Sequence, residues 1–219
     1  MKSLMKNFGL MALLVVAVLS VHAQEGEKAK KEKAVGDPCV ITVCPVSNQK
    51  MGSMGQPVLV EYNGREVRLC CKGCVKSFEA KPEETLQKVD QQLIEDQKPH
   101  YPLDTCIVSG EKLGEGSEPV DYIFNNRLFR LCCEGCTAKI SADPKPFFKK
   151  LDQAVIEKQK EAYPLKTCVV SGQELGSMGD PYDVVIANRL LRLCCKGCEA
   201  KVKKDPSAFL SKLTETNES

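Results

Sequence analysis

Four cysteines recur along this chain at a spacing of 62 residues without one insertion or deletion. Cys44, Cys106 and Cys168 form the first series and Cys70, Cys132 and Cys194 the second. Cys71, Cys133 and Cys195 form the third, and Cys74, Cys136 and Cys198 the fourth. Other positions keep the same register: Ser47/Ser109/Ser171, Arg65/Arg127/Arg189, Arg68/Arg130/Arg192, Gly73/Gly135/Gly197 and Pro82/Pro144/Pro206. Such a gapless period means three copies of one structural unit. A unit of about 60 residues buries too little apolar surface to stand alone; its core supplies roughly 3–5 kcal/mol. A staple is therefore expected, and the repeated thiols are its material.

Each copy reads in the same order. A cysteine turn comes first ("CPVSN", "CIVSG", "CVVSG"), then a glycine-rich loop. In the first copy "VLVEY" and "REVRL" flank Asn63-Gly64, a two-residue hairpin signal. "VDYIF" with "RLFRL", and "DVVIA" with "RLLRL", take that place in the other two copies. The run Cys-Cys-x-Gly-Cys opens a short helix. Pro82, Pro144 and Pro206 suit the first position of a second helix, with Asp143 and Asp205 as N-caps. That second helix places Leu86, Val89 and Leu93, or Phe148, Leu151 and Val155, on one face. The expected fold class is α+β: three tandem small treble-clef-like units, each a hairpin plus helices.

Two segments precede the repeats. Residues 1–23 carry Lys2 and Lys6, an apolar run from Leu10 to Leu19 and a Val-His-Ala end. They read as a cleavable secretory signal, because the apolar run is too short to span a bilayer. Residues 24–38 are charged and aperiodic and read as a flexible linker. The repeats then occupy 39–98, 99–160 and 161–219. The expected location is periplasmic or secreted, with no membrane association once the leader is removed.

Charge and composition exclude some classes. With the leader and its two lysines gone, 29 basic and 29 acidic residues remain. A nucleic-acid partner would require a basic excess, and aromatic residues make up only 5%, too few for a stacking platform. No Ser/His/Asp set, phosphate loop or repeated carboxylate pair is present, so no enzyme is expected.

The chain holds 13 cysteines. Cys70 and Cys74, and Cys71 and Cys74, share one face of a helical first turn, where free amides favour thiolates. Cys44 arrives from the turn before the hairpin, as a zinc-ribbon or treble-clef ligand does. Thiolate clusters suit zinc, Cu(I) and other soft ions, about one per repeat. The candidate ligands are Cys44, Cys70, Cys71 and Cys74; Cys106, Cys132, Cys133 and Cys136; and Cys168, Cys194, Cys195 and Cys198. His100, the sole histidine after the leader, has no counterpart in the other copies and reads as a loop residue.

Cys-Pro-Val-Ser, a hairpin, Leu-Cys-x-x-x-Cys, Phe78, Pro82 and a final helix resemble the TRASH/YHS group of heavy-metal-binding domains over nearly all of 39–216. The resemblance implies a treble-clef-like fold and a metal held by Cys44, Cys70 and Cys74 and their counterparts. The chain departs from that pattern by placing Ser47, Ser109 and Ser171 in the first turn and by adding Cys71, Cys133 and Cys195. Either these added thiols supply a fourth ligand or the site has three. The function expected is sequestration, delivery or sensing of a soft metal, with metal ions as the partners.

The competing reading is a structural or interaction protein stapled by disulfides, natural for an exported chain. A bridge contributes about 2–4 kcal/mol, against roughly 10–16 kcal/mol for a structural zinc in an isolated finger. A redox role for Cys-Lys-Gly-Cys and Cys-Glu-Gly-Cys is a third reading; no thioredoxin-like βαβ pattern surrounds them. Cys39 is odd in number and aligns with Tyr101 and Tyr163; a free thiol, an intermolecular bridge and an extra ligand are all open to it. Met54 and Met178 share a loop position that Gly116 fills in the second copy.

Overall fold

The computed structural model describes residues 35–215. The leader and residues 24–34 of the linker lie outside the described residues.

Three hairpin-plus-helix units follow one another in the order the sequence announces. In the first, β1 (Val58–Tyr62) pairs antiparallel with β2 (Arg65–Leu69), followed by α1 (Gly73–Ala80) and α2 (Pro82–Gln97). In the second, β3 (Val120–Phe124) and β4 (Arg127–Leu131) precede α3 (Gly135–Ala142) and α4 (Pro144–Gln159). In the third, β5 (Tyr182–Ile186) and β6 (Arg189–Leu193) lead through a 3₁₀ turn at Lys196–Cys198 to α5 (Glu199–Lys204) and α6 (Pro206–Glu215). Each hairpin is its own two-stranded sheet.

The hairpin turns carry the same backbone in all three units. Asn63 and Gly64, Asn125 and Asn126, and Ala187 and Asn188 all have positive φ. Two consecutive left-handed residues match the twist of the flanking strands, which explains the preference for asparagine and glycine there. The prolines begin the long helices as expected. Asp205 accepts the amide of Ala208 at 3.4 Å. Asp143 makes no side-chain cap, so one of the two expected caps is formed.

Every unit closes over its own small core. Val67, Leu69, Phe78, Val89 and Leu93 fill the first, and Phe129, Leu131, Ile140, Phe148 and Leu151 the second. Val184, Ile186, Leu191, Leu193, Val202 and Leu210 fill the third.

The units are not beads joined only by connecting segments, as independent tandem domains would be. Gln97, at the end of α2, is fully buried and grips the hairpin of the next unit. Its Nε2 donates to the Asn126 carbonyl (2.8 Å) and its Oε1 accepts from the Leu128 amide (2.9 Å). Gln159, 62 residues on, does the same with the Asn188 carbonyl and the Leu190 amide at 2.9 and 2.8 Å. Asn126 donates to the Glu66 carbonyl and Asn188 to the Leu128 carbonyl, at 2.9 and 3.1 Å. The first and third units also meet, through Arg68 on the Lys203 carbonyl and Arg189 on Asp96. Burial of backbone groups between units requires these partners.

Residues 35–38, the end of the segment read as a linker, are bound rather than free. Val35 packs against the second core, and its carbonyl accepts from Asn125 Nδ2 at 2.7 Å. Val40 belongs to the third core, while Cys39 and Ile41 belong to the first. A Cβ on Gly36 would lie 2.5 Å from Asn125 Cβ, so only glycine lets the strap approach that closely.

Candidate metal centre

Each cysteine turn is closed by the backbone around its cysteine. The Cys44 amide donates to the Gln49 carbonyl (2.8 Å) and the Cys44 carbonyl accepts from the Asn48 amide (2.9 Å). Such a turn needs a left-handed residue, supplied by Asn48, Gly110 and Gly172. The second group of thiols stands where the outgoing strand bends into a helix. The Cys74, Cys136 and Cys198 amides donate to the Cys71, Cys133 and Cys195 carbonyls, each at 3.2 Å. Cys70 and Cys71 therefore precede the helix they were expected to open, and Cys74 lies in its first turn.

The hairpin folds these two segments together. Cys44, Cys70 and Cys74 bring their sulfurs within 4.8 Å of one another, as do Cys106, Cys132 and Cys136, and Cys168, Cys194 and Cys198. Individual separations are 3.8 Å for Cys44–Cys74, 3.7 Å for Cys70–Cys74, 3.9 Å for Cys106–Cys136, 3.7 Å for Cys132–Cys136 and 3.8 Å for Cys194–Cys198. A metal–sulfur bond of ~2.3 Å in a tetrahedron sets neighbouring sulfurs about 3.8 Å apart. The observed spacing is the one an ion would impose, and far exceeds the ~2.05 Å of a disulfide. All 13 cysteines are free thiols.

Cys71, Cys133 and Cys195 stand beside these groups, not within them. Cys71 lies 3.7 Å from Cys74, Cys133 lies 3.8 Å from Cys136, and Cys195 lies 4.0 Å from Cys194. Each is the most solvent-facing thiol of its repeat: Cys133 is exposed, and Cys71 and Cys195 are partly so; Cys132 in the second repeat is also partly exposed.

The serines of the cysteine turns lie against the sulfurs. Ser47 Oγ lies 3.2 Å from the Cys70 sulfur, and Ser109 and Ser171 lie 3.3 Å from the sulfurs of Cys132 and Cys194. Burial raises the Cys44 thiol, but the Ser47 hydroxyl and nearby amides outweigh it and hold the group at about 6. Cys106 and Cys168 are held at about 6 in the same way. Cys74, Cys136 and Cys198 go the other way, pushed up to about 12 by burial and by the adjacent thiols. One sulfur of each group is thus poised as a thiolate, while another keeps its proton until something positive replaces it.

The remaining candidates fall outside the groups. Cys39 is 0% exposed in the first core, and burial pushes its thiol up to about 11. Tyr163, its counterpart, accepts the Arg192 amide at 3.1 Å. His100 sits in a 3₁₀ turn, where its carbonyl meets Gln159. Met54 and Met178 are exposed. Arg130 and Arg192 bind the cross-strand carboxylates of Asp121 and Asp183, both at 2.9 Å. In the first unit the cross-strand partner is Leu59, and Arg68 turns to Glu66 instead.

Searches against protein-family models, curated proteins and solved structures find no match to this chain.

Proposed function

We propose that this is an exported, non-enzymatic protein that holds soft metal ions, one in each repeat, for sequestration or delivery. Cys44, Cys70 and Cys74 supply the ligands in the first repeat. Cys106, Cys132 and Cys136 supply them in the second, and Cys168, Cys194 and Cys198 in the third. The observation that carries the proposal is the recurrence, three times over, of three mutually close, unbonded sulfurs. Thiolates select zinc, Cu(I) and their heavier congeners over hard ions. A three-sulfur set leaves a position open, which favours exchange of the ion over permanent structural use.

Export is supported by the charged start and short apolar run of residues 1–23. Among the described residues no helix is long and apolar enough to cross a membrane. The likeness of the cysteine pattern to TRASH/YHS domains agrees with a heavy-metal role. The test is titration of the reduced chain with zinc, followed by elemental analysis. Three ions per chain are expected; fewer than one overturns the proposal.

A further inference from the structure

We propose that the solvent-facing cysteine of each repeat is a redox trigger that ejects the ion. Cys71 would pair with Cys74, Cys133 with Cys136 and Cys195 with Cys198. The inference rests on the metal reading for what is released, but the pairing stands on geometry alone.

Three features carry it. In the first and third repeats Cys71 and Cys195 are the solvent-accessible thiols, while Cys74, Cys136 and Cys198 are buried in every repeat. A bulky oxidant therefore meets the trigger sulfur first. Next, the glycine two residues on leaves that sulfur uncovered. A Cβ on Gly73, Gly135 or Gly197 would lie 3.7, 3.8 or 3.6 Å from the sulfur of Cys71, Cys133 or Cys195. The same placement in three copies, with no side chain at that glycine, keeps an approach open from its side. Finally, the resolving sulfur is close in the first two repeats, 3.7 Å for Cys71–Cys74 and 3.8 Å for Cys133–Cys136, and is itself a ligand; the Cys195–Cys198 pair is assigned by the 62-residue repeat. Cys74 is 3.7 Å from Cys71, 3.7 Å from Cys70 and 3.8 Å from Cys44. A side-chain rotation closes that gap to a bond of ~2.05 Å. Taking Cys74 into a disulfide removes a ligand from the centre of the set.

The co-reactant is a small-molecule disulfide. The Cys71 thiolate attacks one of its sulfurs, forming a mixed disulfide and releasing one thiolate. Cys74 leaves the ion and attacks the Cys71 sulfur, displacing the second thiolate. Two protein thiolates are oxidised by two electrons, and the small disulfide is reduced to two thiols. The ion keeps its charge and leaves a site with two ligands. Because trigger and ligand are different residues, the ion can bind without the trigger.

The test uses the full reduced chain loaded with zinc and treated with glutathione disulfide. Zinc release is read with a chromogenic chelator and the bonds by peptide mapping. Release of three ions is expected, with bonds at Cys71–Cys74, Cys133–Cys136 and Cys195–Cys198. The triple variant Cys71→Ser, Cys133→Ser, Cys195→Ser is expected to keep three zinc ions and to release them at least tenfold more slowly. If that variant does not fold, Cys133→Ser alone should make one ion of three resistant. Bonds mapped to Cys44–Cys70 or Cys70–Cys74, unchanged release from the variants, or loss of zinc binding on removing the triggers would each overturn the inference. If the wild type binds no zinc, the metal reading fails by itself, and mapping on the metal-free chain still decides the pairing.

Discussion

The carboxylate of Asp37 grips the guanidinium of Arg127 at two points, 2.6 Å to Nε and 2.8 Å to Nη2, with Arg127 only 1% exposed. Asp37 also accepts the Ala187 amide at 2.7 Å, and Arg127 reaches Asp152 at 2.7 Å and the Val185 carbonyl at 3.2 Å. One acid from the leading strap thus ties the hairpins of the second and third repeats together. Burial would favour a neutral arginine, but the two carboxylates raise its pKa further still.

Removing one partner of a buried pair leaves the other charge unmatched, at a cost of about 3–5 kcal/mol. Asp37→Ala is expected at the lower end, since Arg127 keeps Asp152. Chemical denaturation of the reduced chain measures it. A loss under about 1 kcal/mol would mean that the strap is not anchored there.

Gln97→Ala leaves the Leu128 amide and the Asn126 carbonyl buried without partners. The expected loss is about 1–3 kcal/mol. It should also separate the unfolding of the first repeat from that of the other two, read as a second transition by calorimetry. A single unshifted transition would refute the clamp.

Cys106→Ser should remove one zinc of three. The neighbouring repeats keep their own sulfurs, so two ions remain bound. Loss of all three in elemental analysis would show one shared cluster. Because Gln97 and Arg127 join the units, some loss of overall stability is expected alongside.

Binding should release protons in a fixed number. In the first repeat Cys44 is held at about 6 and is already a thiolate at pH 7.5. Cys74 is pushed up to about 12 and must give up its proton. The Ser47 hydroxyl lowers the Cys70 thiol, but burial and the neighbouring Cys44 sulfur together outweigh it, so Cys70 is raised and releases another. About two protons per zinc are expected in weakly buffered titration. Three would place Cys44 in the protonated form.

The pH dependence has a definite sign. A thiol whose folded pKa is depressed from 9 to about 6 stabilises the fold fully above pH 9, and that contribution fades as pH falls to 6. Zinc affinity should fall steeply below about pH 6, where a proton competes for Cys44 as well. Ser47→Ala removes a hydrogen bond to the sulfurs, worth roughly 1 kcal/mol. It should raise the Cys44 pKa and move the fall to higher pH. An unmoved profile would leave Ser47 no part in the site.

Much of this was legible in the chain because it is local. Asn63-Gly64 between two strand patterns strongly favours a left-handed two-residue turn, and Pro82 suits the first position of a helix. The period of 62 residues fixed three like units, and Cys44, Cys70, Cys71 and Cys74 were candidates by residue type, spacing and register. A serine in place of a cysteine read as a missing ligand, because sequence does not say that its hydroxyl would lie 3.2 Å from a sulfur.

Local pattern alone was enough for the unit: its element order, its turns and the thiols at its two corners. Which three of the four thiols converge, and how the units hold one another, depends on the folded packing. Cys70 and Cys71 are neighbours with the same chemistry. The strand pleat and the turn into α1 send one sulfur inward and leave the other partly exposed. Asp37 lies in the segment read as a linker, and no local motif marks Gln97 or Gln159. They become anchors because the partners they meet, Arg127, Leu128 and Leu190, lie 90, 31 and 31 residues away. No local pattern encodes a contact that exists only after the chain has folded back on itself and excluded the water that would otherwise satisfy those groups.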